Sequence, residues 1–152
     1  DRDNLFMGLA IELARAAYDN DEVPVGAVIV QTRNNEVISA FSNQMRKQRS
    51  SIAHAEMLAI QKANKIIDNE RLIGCEMFVS LEPCPMCAHA ISISRLDTLY
   101  FAAEDSKGGG VINGPKIFES SSCHHKPEVK YGLMADESSK LLRSFFKSKR
   151  LK

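Results

Sequence analysis

The chain has 152 residues, 44% hydrophobic and 26% charged, a composition that argues against a collagen-like, coiled-coil or mostly disordered protein. Its longest apolar run, Val23 to Val30, is far short of the ~18 residues of a membrane-spanning helix, so no membrane partner is expected. The net charge of +1 hides an asymmetry, because residues 1–139 carry 14 basic and 19 acidic groups while residues 140–152 carry six basic groups and no acidic one. Electrostatic steering depends on where charge sits rather than on its sum, so the near-neutral total does not exclude a nucleic-acid partner.

A chain of this length can bury a sizeable core without disulfides, and residues 1–152 are expected to form one domain. The charged N-terminus lacks the apolar segment of a signal peptide. With it, the four cysteines Cys75, Cys84, Cys87 and Cys123 point to a reducing, cytoplasmic setting.

Leu5, Phe6, Leu9, Ala10, Leu13 and Ala17 recur at helical spacing, with Asp3 as the expected cap and Asp19 to Glu22 as the end of that helix. Val25 to Val30 reads as a strand buried on both faces. A polar turn, Thr32 to Asn35, leads into a second strand, Val37 to Phe41. The basic segment Gln44 to Ser51 reads as a loop. A second helix starts near His54, a third strand covers Met77 to Leu81, and Pro85 suits the first position of a third helix. A fourth strand, Thr98 to Ala103, precedes a Gly-rich loop. A short helix near Lys116 to Ser120, a brief strand at Val129 to Tyr131 and a last helix from Asp136 to Lys149 complete the order. Strands alternating with helices in this way predict an α/β layered fold, a sheet with helices on both faces.

The chemistry concentrates in His54-Ala55-Glu56 and Pro83-Cys84-Pro85-Met86-Cys87. Two thiolates at a helix start and one imidazole supply three ligands of the types zinc prefers. Three ligands with an open position is the catalytic zinc pattern, in which water becomes a nucleophile near neutral pH. Glu56 is not needed as a ligand and could carry a proton from that water to a leaving group. Two other readings stay open. The C-x-x-C pair could be a redox motif, and Cys75 or Cys123 could close a structural Cys3His cage. Cys123, His124 and His125 could also form a second metal site.

On these residues the sequence resembles the cytidine/deoxycytidylate deaminase superfamily and, within it, the bacterial tRNA-specific adenosine deaminases. The resemblance covers nearly the whole chain. It extends to Glu22-Val23-Pro24-Val25-Gly26-Ala27-Val28, to Asn43 eleven residues before His54, and to Val79-Ser80-Leu81-Glu82-Pro83-Cys84. It continues through Ala103-Glu104-Asp105-Ser106-Lys107 and Gly132 to Glu137. The resemblance implies a three-layer α/β/α sandwich with a mixed five-stranded sheet, and hydrolytic deamination of adenosine to inosine at the wobble position of a tRNA anticodon. It further implies one zinc ion per subunit on His54, Cys84 and Cys87, with Glu56 as proton shuttle. By the same implication Asn43 hydrogen-bonds the base, Val25 and Ala55 line its pocket, Asp105 lies near the RNA, and the enzyme is a homodimer. The sequence departs from the tRNA enzymes at Pro85, whose C-P-M-C form resembles bacterial guanine deaminases, at His89, and at Cys123-His124-His125-Lys126. A free-base or nucleoside deaminase and a non-catalytic zinc-binding RNA partner remain as alternatives.

At 100° per residue, Lys140, Arg143, Lys147 and Arg150 share one sector of the last helix, with Leu141, Leu142, Phe145 and Phe146 expected opposite them in the core. The basic sector is expected to meet RNA phosphates, with Arg46 and Lys47 of the earlier loop adding contacts.

Overall fold

The computed structural model describes residues 1–150. Strands β1 (Gly26–Gln31), β2 (Glu36–Ser42), β3 (Cys75–Leu81), β4 (Thr98–Ala103) and β5 (Glu128–Tyr131) form one sheet in the order β2-β1-β3-β4-β5. β1 pairs antiparallel with β2 and β3, whereas β3–β4 and β4–β5 are parallel, so the sheet is mixed as expected. Parallel neighbours need a crossover, and helix α4 (Pro85–Ile93) supplies the one from β3 to β4.

The alternation of side chains along each strand divides the core in two. Ala27, Ile29, Met77, Val79, Leu99 and Phe101 face helix α3 (Ala55–Ile67) and α4. Val28, Val30, Phe78, Tyr100 and Ala102 face helix α1 (Arg2–Asp19), with Leu141 of α5 (Ala135–Arg150) packed beside them. Covered on both faces, β1, β3 and β4 have no polar alternation to show, which is why they read as apolar runs.

Three expectations need correction. The cap of α1 is Asp1, whose carboxylate accepts from the backbone N–H groups of Asp3 and Asn4, while Asp3 sits in the first turn beside Arg2. The basic loop contains a one-turn helix, α2 (Met45–Gln48). It forms because the buried Glu22 carboxylate accepts from the backbone N–H groups of Arg46 and Lys47, at 3.0 and 2.9 Å. Its two donors are separated from it by more than twenty residues, a contact no local pattern reveals. Third, the apolar side of α5 is narrower than expected. Phe145 is buried, but Phe146 is 45% exposed and lies on the side of the cations. It projects about 100° around the helix from Phe145, far enough to leave the core. Beside Phe145 and Leu141, α5 is held by the buried Ser138, whose hydroxyl donates to the Ser80 carbonyl, while the Ser80 hydroxyl accepts from the Gly26 N–H.

The loop after β4 is fastened by one side chain. Glu82 is 2% exposed and accepts five hydrogen bonds. Its Oε1 takes the Asp105 N–H and the Asn113 side-chain amide, and its Oε2 takes the N–H groups of Val111, Ile112 and Asn113. Burial alone would raise its pKa, but these donors outweigh it and hold the carboxyl below its ordinary value. The same loop must pass so close to the start of α4 that only glycine fits. A Cβ at Gly110 would meet the Pro85 backbone at 2.6 Å, and one at Gly109 would meet the Glu82 carboxyl carbon at 2.4 Å. Replacing Glu82 by Ala leaves this set of donors without its acceptor, each costing roughly 1–3 kcal/mol where water cannot enter. Glu82→Ala is expected to lose at least about 3 kcal/mol in chemical denaturation, and a loss under about 1 kcal/mol would contradict this account.

Candidate metal centre and active site

His54 and Cys84 occupy equivalent positions in different helices. His54 is the N-cap of α3 and Cys84 the N-cap of α4, and neither side chain caps its own helix. Both therefore project from the helix starts with their donor atoms unspent. The capping job on α3 is done by Asn43, whose Oδ1 accepts from the Ala55 N–H at 2.7 Å. That bond fixes the orientation of the amide, because only oxygen can accept there, and its Nδ2 has no hydrogen-bond partner among the described residues.

The His54 Nδ1 lies 3.7 Å from the Cys84 sulfur and 3.5 Å from the Cys87 sulfur. One tetrahedral zinc ion, with nitrogen at about 2.0–2.1 Å and sulfur at about 2.3 Å, separates those atoms by about 3.5 Å. The three donors thus fit zinc in both type and spacing. His54, Cys84 and Cys87 are the one such group among the described residues, and neither Cys75, Cys123 nor a histidine near Cys123 joins them. The closed Cys3His cage and the second metal site are therefore not supported.

The crowding of these groups shifts their titration. The Cys84 thiol is pushed down to about 4, first by its hydrogen bond with Cys87 and then by His54. Cys87 moves the other way, because it shares its proton with Cys84 and is buried. His54 is raised by its contact with Cys84. Glu56 is 4% exposed and lies against the Cys87 thiol, and burial pushes its carboxyl up to about 7. It is no member of the ligand group, although it lies beside it.

The other candidates divide. Val25 and Ala55 are buried in the cluster beneath the site, and Asn43 is buried at its edge. Asn43 also borders a groove of about 730 Å³ lined by Glu22, Phe41, Gln44, Arg46 and Lys47. Asp105 organises its own loop, its Oδ1 accepting from the N–H groups of Lys107 and Gly108. Arg46 is exposed and ion-paired with Asp21, which also pairs with Lys149. Lys47, Lys140, Arg143, Lys147 and Arg150 are exposed. His89 is exposed on α4, and Cys75 is core. Cys123 and His125 tie their loop to α4: the Ser92 hydroxyl and the Cys123 thiol both donate to the His125 carbonyl, and the His125 ring meets the Leu96 carbonyl at 2.7 Å. Glu22 and Glu82, which hold the two flanking loops, were missed by the motif reading. The signal for Glu82 was a carboxylate between an apolar strand and P-C-x-x-C, where a solvated charge has no place. Purified protein is expected to carry about one zinc per chain by elemental analysis, and Cys87→Ala or His54→Ala to lose most of it while Cys75→Ser and Cys123→Ser retain it. Full zinc in Cys87→Ala would contradict the ligand set.

Residues 1–103 match the cytidine and deoxycytidylate deaminase zinc-binding region. A tRNA-specific adenosine deaminase of Agrobacterium fabrum is 46% identical over 146 residues, covering 96% of this chain and 95% of the relative. One from Bacillus subtilis is 40% identical, covering 99% and 92%. Among solved structures, one from a study of A-to-I editing by tRNA:A34 deaminases superposes with a TM-score of 0.88 at 44% identity, covering 91% of this chain and 99% of that one. A guanine deaminase from Nitrosomonas europaea superposes with a TM-score of 0.80 at 28% identity, covering 93% and 83%. With likeness running nearly end to end and through the metal helix, the chain belongs to the cytidine and deoxycytidylate deaminase family, whose zinc the three donors are built to hold.

Proposed function

We propose that the protein hydrolytically deaminates adenosine to inosine at the wobble position of a tRNA anticodon. The observation that carries this reading is an open set of three zinc donors beside a buried, near-neutral carboxyl, in a chain similar over 96% of its length to a tRNA-specific adenosine deaminase. The reaction adds water at C6 of the adenine and releases ammonia. Zinc, when bound by His54, Cys84 and Cys87, activates water for this attack near neutral pH. Glu56 takes the proton of the attacking water and returns it to the departing amino group. Asn43, held by its bond to Ala55, presents Nδ2 as a donor to the base, and the walls packed from Val25 and Ala55 keep that donor in place. The target base has to leave its stack to reach this depth, as an anticodon-loop base can.

Lys140, Arg143, Lys147 and Arg150 are assigned to phosphate contacts, with Lys47 and, once released from Asp21, Arg46 at the groove beside Asn43. Asp105 is placed near the RNA through its loop. We take residues 1–152 as one deaminase domain acting in the cytoplasm as a homodimer. The exposed line Pro85, His89 and Ile93 on α4 supports a second copy packing there, and the four free cysteines suit a reducing compartment.

Zinc-loaded protein is expected to form inosine in an anticodon stem-loop with a wobble adenosine, assayed beside guanine and cytidine. The likeness to guanine deaminases makes turnover of guanine alone the result that would overturn the proposal. Glu56→Ala is expected to keep zinc and RNA binding while kcat falls by roughly 10²–10⁴-fold or more, and unchanged turnover would refute its role. Neutralising Lys140, Arg143, Lys147 and Arg150 is expected to flatten the dependence of log affinity on log salt by about 0.7–0.9 per lost contact. An unaltered slope would mean these cations only meet solvent.

A further inference from the structure

Resting on the zinc ligand set assigned above, we infer that Glu82 is a positioning residue for the metal centre. It holds residues 105–113 as a buttress against the start of α4, and the buttress keeps Cys84 and Cys87 where zinc needs them. Glu82 stands two residues before the first of these ligands and is itself no member of the ligand group.

An ionised side chain is costly to bury unless donors surround it, so a carboxylate at this position has work to do. That work is not the strand junction, because there the Glu82 main chain suffices, its N–H donating to the Ala103 carbonyl at 2.8 Å. All five donors to the side chain come from residues 105–113. Those of Asp105, Val111, Ile112 and Asn113 include the backbone N–H, so the carboxylate fixes the path of a main chain rather than one side chain.

The path so fixed runs onto the metal helix. Gly110 donates its N–H to the Pro83 carbonyl at 2.8 Å, and its own carbonyl accepts from the Ile117 N–H at 2.8 Å. A Cβ on Gly110 would lie 2.6 Å from the Pro85 backbone and 2.9 Å from the Cys84 carbonyl carbon, so the two main chains are already in contact. Val111, the next residue, is buried in the same cluster as Ala88 and Ile91 of α4. The loop therefore bears on the residues either side of Cys84 and joins the core beside the turns that follow.

Position matters here because the ligands come from two helices. His54 begins α3, so its distances of 3.7 and 3.5 Å to the two sulfurs depend on where the start of α4 is held. Groups that stand behind metal ligands and fix their orientation typically contribute 10–100-fold in metal affinity. Glu82 acts one step further back, through the loop.

Glu82→Gln tests this, because a carboxamide matches the carboxylate in shape but offers one acceptor oxygen, so one side of the cradle meets an N–H instead. Zinc-loaded protein is challenged with a chromophoric chelator under conditions where circular dichroism shows the fold intact. Glu82→Gln is expected to release zinc roughly 10- to 100-fold faster than the unaltered chain. Gly110→Ala, which pushes on Pro85 from the loop side with Glu82 unaltered, is expected to do the same. Met7→Ala opens a cavity on the other face of the sheet and measures the effect of lost stability alone. It is expected to keep the original rate. Cobalt substituted for zinc adds a spectroscopic signature, the thiolate-to-metal absorption, which is expected to shift in Glu82→Gln and not in Met7→Ala. An unchanged rate and spectrum in Glu82→Gln would overturn the inference, as would equal acceleration in Met7→Ala, since stability would then explain it. Failure of the unaltered chain to hold zinc would overturn the ligand set as well, whereas the other contrary results count against Glu82 alone.

Discussion

Two helix starts converge on one point, and the site follows from that. α3 and α4 pack on the same face of the sheet, and each begins with a metal donor in place of a capping side chain. A helix N-terminus carries partial positive charge, so two of them facing a dication would repel it. Cys84, its pKa lowered first by its hydrogen bond with the Cys87 thiol and also by the Cys87 backbone N–H, supplies negative charge there, and Cys87 would add a second thiolate on binding a metal. The backbone donor that His54 leaves unserved on α3 goes to Asn43, which is how a base-binding candidate comes to be locked to the metal helix.

Three buried glutamates show how environment divides roles among identical side chains. Glu22 and Glu82 are each met by backbone N–H groups and serve as fasteners, one for the segment that leads to His54 and one for the loop lying on Cys84 and Pro85. Donors outweigh burial at Glu82 and hold it ionised. At Glu56 burial dominates instead, and the carboxyl rises to about 7.

Much of this was legible in the residues. H-x-E and P-C-x-x-C carry their chemistry in short spacings, and the structure brings those three donors together. The strands of the sheet were legible because burial on both faces leaves uninterrupted apolar runs. What escaped depends on contacts between distant segments. The helix α2 exists through Glu22, more than twenty residues away, and the five-donor cradle of Glu82 gathers residues from 105 to 113. The cap of α1 shifted from Asp3 to Asp1 because two acids near a helix start compete and only geometry decides. Phe146 was misplaced since a helical wheel gives angles but not the width of the surface that covers them.

The central claim is that a zinc site framed by two helix starts uses Glu56 to drive water onto an adenine in RNA. Single turnover of the stem-loop in ¹⁸O-water, read by mass spectrometry of the released nucleosides, tests it most directly. The account predicts inosine at the wobble position carrying one heavy oxygen, formed by the zinc-loaded protein and not by Glu56→Ala. Adenosine left intact in the RNA while free guanine is converted, or heavy inosine formed equally by Glu56→Ala, would contradict it.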